Sequence, residues 1–172
     1  MNVHTSLTSQ IFIIEGSIHV DNVEDFLEKI KLPECGIALL NADYIVDRGH
    51  AELAARKAID SWREGKNVAR TLPIEIMLYA SANRQINQAL EMGVKSNSEN
   101  KVVAVLVGEE DCISKFKVIS GFREEKVLNL DEDKVENLKR FFDINEEELN
   151  VTGREKLPDI IKERIVLFDL FK

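Results

Sequence analysis

His50 stands three residues after Asp47 and seven after Asp43, close enough in sequence for an imidazole and a carboxylate to act as an acid/base pair. The group opens a predicted helix, however, where an aspartate caps free N–H groups and a nearby histidine ordinarily serves structure. Glu109, Glu110 and Asp111 could gather a hard cation, but acidic side chains also collect at helix N-termini because they face the positive end of the helix dipole. Glu146, Glu147 and Glu148 lack the glycine and alternating oxygen ligands of a calcium loop and read as a solvated helix face. Of the other histidines, His4 belongs to the N-terminal segment and His19 follows the first predicted strand. No GxxxxGK[ST] loop, GxSxG elbow or HExxH helix occurs, and Gly16, Gly36 and Gly108 never form a GxGxxG run. No metal, cofactor or catalytic residue is therefore expected, and the enzyme reading is weak.

Binding chemistry is better represented. In residues 67–94, Thr71-Leu72-Pro73 predicts a helix start, with Ile74, Met77 and Leu78 spaced on one face. A second start is expected at Ser81 or Asn83, with Ile86, Ala89 and Leu90 repeating the spacing and Gly93 as a left-handed stop. Between the two helices lies a polar corner of Ser81, Asn83, Arg84 and Gln85.

The charge distribution marks the same region. The chain has a net charge of −8, which argues against indiscriminate coating of nucleic acid. Residues 48–84 nevertheless hold seven positive and four negative side chains, a local +3 that leaves −11 on the rest. An anion-facing patch on an acidic body fits this asymmetry, although charged residues on surface helices are ordinarily a solvated face.

At 172 residues with 44% hydrophobic content, the chain is long enough for one core and short for two, so a single domain is expected. The longest apolar runs fall far short of the roughly 20 residues that span a bilayer, and no signal segment opens the chain; a soluble, cytoplasmic protein is expected. Cys35 and Cys112 have no CxxC spacing and are read as buried or free thiols.

Strands are expected at 10–18 and 37–45 around a helix at 20–30 with Asp21 as its cap, then a helix at 49–64 with Leu53, Ala54, Ala58, Ile59 and Trp62 inward. A strand at 101–107, a helix at about 109–119 and a fourth strand at 126–130 repeat the β-α-β order, and Asp131 opens a helix with Val135, Leu138, Phe141 and Phe142 on one face. These elements predict an α+β fold: two split β-α-β units (10–45 and 101–130) in a four-stranded, mainly antiparallel, ferredoxin-like sheet, a helical insertion at 48–95 and C-terminal helices at 131–172. The final helix, after Pro158, carries a wider apolar surface than one buried stripe requires, so its outer residues are a candidate docking surface for a partner protein.

The run NADYIVDRGHAELAARKAI (residues 41–59), followed by RTLPIEIMLYASANRQINQALEMGV (residues 70–94), resembles the small KEOPS subunit family that includes the PRPK-binding protein. The likeness is strongest over residues 40–94, with weaker support from the apolar helix at 164–170. It lies in the order Asn41-Ala42, His50, Glu75, then Ser81, Arg84, Gln85 and Ile86 up to Gly93. Ala80 departs from it, standing where relatives often have leucine.

The resemblance implies a non-catalytic subunit of the assembly that places threonylcarbamoyl on a tRNA adenosine beside the anticodon. Such a subunit binds the kinase/ATPase-like subunit and, in archaeal members, the single-stranded CCA end of tRNA. A single-stranded tail needs cations for phosphates, apolar or planar surfaces for bases and amides for base edges. On this resemblance Lys57, Arg63, Arg70, Ile74, Asn83, Arg84, Gln85 and Lys95 become the candidate RNA contacts. Ile161, Ile165, Phe168, Leu170 and Phe171 become the candidate protein interface. Two alternatives remain: a purely protein-binding adaptor in which Arg56, Arg63, Arg70 and Arg84 form surface salt bridges, and a small enzyme built on His50.

Overall fold

The computed structural model describes residues 9–172; His4 lies outside them. Two long strands rich in β-branched residues, β1 (Gln10–Val20) and β3 (Ser98–Gly108), pair antiparallel along their whole length. β2 (Gly36–Asn41) pairs with the other side of β3, and the short β4 (Arg123–Glu124) with β1, giving the order β2-β3-β1-β4 with every pair antiparallel. Between β1 and β2 runs α1 (Val23–Lys29), and between β3 and β4 runs α5 (Asp111–Ser120). Each β-α-β unit thus has a strand of the other between its own two, the expected split arrangement.

Period-two alternation assigns the two sheet faces. Ile18, Val20, Leu39, Val102, Ala104 and Leu106 point to one face and meet Phe26 of α1, Phe116 of α5 and Phe122. Ile13, Ala38, Leu40, Val103, Val105 and Val107 point to the other, which is covered by α2 (Arg48–Arg63), α3 (Leu72–Ser81), α6 (Glu132–Phe141) and α8 (Leu157–Phe171). The alanines at 51, 54, 55 and 58 let α2 pack closely there. Leu53 and Trp62 are only partly buried against this core. α4 (Ile86–Ala89) follows α3, and α7 (Glu146–Thr152) precedes α8.

Five local expectations need correction. The second strand, expected to run to residue 45, ends at Asn41, whose side chain accepts the Asp43 N–H at 3.0 Å and turns the chain into a 3-10 helix (Ala42–Tyr44). Asn22, not Asp21, caps α1, its side-chain oxygen accepting the Asp25 N–H at 3.0 Å. Ser81 is the last residue of α3 rather than a helix start; left-handed Ala82 (φ 51°) ends the helix, and the chain resumes at Ile86 after Gln85. Gly93 is extended, with φ −87° and ψ −176°, and it closes a 3-10 turn (Leu90–Met92). There a Cβ would lie 3.2 Å from the Leu90 carbonyl and from Met77, so the position demands space instead of left-handed geometry. The fourth strand lies at Arg123–Glu124, before residues 126–130, because the Glu15 carboxylate takes the Val127 and Leu128 N–H groups (2.8 and 3.1 Å) that a longer ladder would use. Gly16 permits this close approach: a Cβ there would lie 2.1 Å from the Arg123 carbonyl.

The cysteines also differ from expectation. Cys35, just before β2, and Cys112, in the first turn of α5, form a disulfide that closes a loop across 77 positions. Such a cross-link stabilises chiefly by limiting the unfolded chain, in the entropic account.

Candidate functional site

Glu75 organises the N-terminal end of α3. It is fully buried in the first turns of the helix, and its carboxylate accepts the N–H of Val68 at 3.0 Å from both oxygens and that of Ala69 at 3.2 Å. Bonds of this charge-assisted kind are worth about 1.5–3 kcal/mol each, enough to fix the connection between α2 and α3. That connection holds Arg70 exposed, with no ion pair among the described residues. Thr71 caps the helix, accepting the Ile74 N–H at 3.5 Å. Beside it runs an apolar groove of about 180 Å³, lined by Leu27, Ile30, Leu32, Ile37, Pro73 and Ile74 among others. Lys31 and the capping Thr71 also line this slot, and Arg70 precedes Thr71 in the chain.

The other end of α3 has different chemistry. The Asn83 side chain accepts the Gln85 N–H at 2.9 Å and donates to Gln88 at 2.5 Å, so the polar corner is a wired turn. It opens on a cavity of about 290 Å³ that also receives Tyr44, Ser81, Glu91, Arg140 and Phe141. Tyr44 and Phe141 stack with ring centroids 4.3 Å apart and planes 20° from parallel. Amides, a guanidinium and aromatic rings therefore converge, a set suited to a planar polar ligand. The ten residues of α3 span about 15 Å, so the expected single site is two clusters joined by a helix.

The remaining candidate cations are distributed around these clusters. Arg63 is exposed at the end of α2, and Lys95 is exposed in the turn before β3; neither has an ion pair among the described residues. Lys57 is half-buried, 3.3 Å from Asp169. Exposed Arg84 donates to the Phe171 carbonyl, and exposed Gln85 precedes α4.

α8 divides its apolar residues between core and solvent. Ile161 and Ile165 are fully buried in the main core, while Phe168 is half-buried and meets Tyr79 edge-on at 5.0 Å. Leu170 and Phe171 are 69% and 72% exposed, and Val166 and Leu167 are also exposed. The outer apolar strip is consequently 166, 167, 170 and 171. Tyr79 donates its hydroxyl to Asp169 at 2.5 Å; burial, then this acidic neighbour, pushes the phenol pKa up.

His50 is fully buried. Its Nδ1 accepts the Val46 N–H at 3.1 Å and its Nε2 lies 2.8 Å from the Ala80 carbonyl, which fixes a neutral ring protonated on Nε2. Burial pulls its pKa down to about 4, against the opposing effects of the Ala80 bond and Asp47. Asp47 is engaged in capping, accepting the His50 N–H at 2.8 Å. The ring ties α2 to the end of α3 and faces no cavity described above.

Sequence reasoning missed Tyr44, Arg140 and Phe141 as site residues, and Asp169 as the partner of Lys57. Tyr44 and Phe141 lie far apart in sequence, and helical spacing alone made Phe141 a core residue. Only the folded chain brings them to Asn83.

The family model described as kinase binding protein CGI-121 matches residues 18–169. The sequence is also 27% identical over 136 residues to the regulatory protein Cgi121 of Methanocaldococcus jannaschii, covering 78% of this chain and 83% of that one.

Proposed function

The chain belongs to the CGI-121 family of kinase-binding proteins, the small KEOPS subunit family, and from that premise we propose a non-catalytic subunit that binds a kinase/ATPase-like partner and the single-stranded CCA end of tRNA. The kinase-like protein docks on the outer strip of α8, where exposed Phe171 offers an aromatic side chain of the kind enriched at interfaces and Leu170 adds apolar area beside it. The RNA tail runs along α3, its phosphates met by Arg63, Arg70, Arg84, Lys57 and Lys95 and its bases by Ile74 and the amides of Asn83 and Gln85. Chemistry on the nucleoside takes place in other subunits of the assembly.

The observation that carries the RNA reading is the placement of Arg63, Arg70 and Lys95, each exposed and without an ion pair among the described residues, on the segments before and after α3, in a chain whose excess charge is acidic. Binding of intact tRNA and of tRNA trimmed of its terminal CCA tests the reading. Intact tRNA is expected to bind more tightly, and Arg70→Glu to weaken binding several-fold while lowering the salt dependence by roughly 0.7 per lost phosphate contact. Equal affinity for both tRNAs, or an unaltered Arg70→Glu, counts against it.

A protein-only adaptor is favoured by a different observation: Arg56 pairs with Glu52 at 2.5 Å, Lys57 with Asp169, and Arg84 with a backbone carbonyl. In that case truncation before Leu167 abolishes association with the kinase-like partner, and charge reversal at Arg70 or Arg84 leaves tRNA binding unaffected.

A further inference from the structure

The last turn of α8 lies across the same cations that the RNA reading assigns to phosphate. One Asp169 oxygen accepts the Tyr79 hydroxyl and the other is 3.3 Å from the Lys57 ammonium. Two residues on, the Phe171 carbonyl accepts a bond from the Arg84 guanidinium. Lys172 anchors the turn from beneath: its ammonium bonds the Ser61 hydroxyl, lies 3.8 Å from Glu75 and sits 4.6 Å over the Tyr79 ring. Lys57 and Arg84 are thus occupied by a carboxylate and a carbonyl, oxygen acceptors of the kind that a phosphodiester presents. Arg63, Arg70 and Lys95 have no such internal partner among the described residues.

We propose that the last turn of α8 is an internal competitor for the RNA backbone, holding Lys57 through Asp169 and Arg84 through the Phe171 carbonyl until phosphate displaces it. The proposal rests on the RNA-binding reading above and adds its regulation. Two cations can be released from the turn while the others are permanently available, so the site has a resting and an engaged form. Asp169 and Lys57 are both about one-third exposed, at 30% and 32% of their side chains, so their pair is a modest one that a multivalent anion can break. The same turn displays Leu170 and Phe171 outward. A protein seated on those side chains therefore grips the competitor, and its binding is coupled to that of RNA with the reciprocity that linkage requires.

Affinity for intact tRNA, measured at several salt concentrations for the parent, Asp169→Asn, Lys57→Gln and the double variant, tests the proposal. Asparagine at 169 keeps an acceptor for Tyr79 and removes the charge that holds Lys57. The expected result is binding tighter by about two- to fivefold, the range an ion pair of this exposure supports. The salt dependence should steepen by roughly 0.7 as Lys57 becomes a full phosphate contact. Both effects should vanish when Lys57 is glutamine. Asp169→Ser supplies a second charge-removing variant should the first fail to fold. An unchanged affinity overturns the proposal, as does an equal gain in the Lys57→Gln background, which would reflect only a less acidic surface. Parent binding with a null cycle defeats this inference alone, whereas failure of every form to bind tRNA at low salt defeats the RNA reading and the inference with it.

Discussion

His50 replaces the acid/base reading with a structural one that pH can interrogate. A ring that accepts from Val46 and donates to Ala80 has both nitrogens satisfied only when neutral, and protonation would turn the acceptor nitrogen into a second donor facing an N–H. Its folded pKa of about 4 lies below the 6.5 of a free histidine, so the unfolded chain takes up this proton first as the pH falls. Stability from this group is complete above pH 6.5 and is lost progressively down to about pH 4, a difference of about 3 kcal/mol. Denaturant midpoints at pH 7, 5.5 and 4 should record the decline. A His50→Gln variant, weaker at neutral pH, should lack that portion of the curve; an equally steep decline in the variant would assign the effect to carboxylates elsewhere.

The elements explain why the site was half legible in the sequence. Caps and periods are local properties, so Thr71 before α3, Asp131 before α6 and the valine-rich β3 could be read directly. The polar corner was also legible, since its amides lie within a few residues of one another. Residues 126–130 have strand composition, yet Glu15, more than a hundred positions away, takes two of their N–H groups. The disulfide and the Tyr44–Phe141 stack likewise depend on which elements become neighbours. Glu75 illustrates the limit most directly: in sequence it is one acidic residue near a helix start, and in the fold it secures the connection that presents Arg70. Glu75→Gln keeps an acceptor but removes the charge and turns an amide toward N–H donors, so a loss of about 1–3 kcal/mol is expected. Hydrogen exchange at Val68 and Ala69 should accelerate before that of the α3 core, and unchanged protection would show that the connection is held by something else.

For the whole molecule, the acidic balance makes the proposed RNA binding selective in place as well as in chemistry. With −11 outside residues 48–84, most of the surface repels a phosphate backbone, and on the proposed function the free energy of capture comes from the few cations around α3 and the apolar or planar surfaces beside them. That restriction sets a measurable ceiling. Single-stranded contacts contribute roughly 0.7 each to the fall of log K with log salt, so the three candidates without an ion pair, Arg63, Arg70 and Lys95, give a slope of roughly −2 and all five candidates roughly −3.5. Titrations of intact tRNA across a range of salt should fall within that interval, and the Asp169→Asn variant should lie nearer its steeper end. A slope beyond roughly −5 would require lysines and arginines remote from α3 and would relocate the interface. A slope near zero with preserved affinity would mean that bases alone hold the tail, leaving Arg63, Arg70 and Lys95 without the role that their lack of carboxylate partners supports.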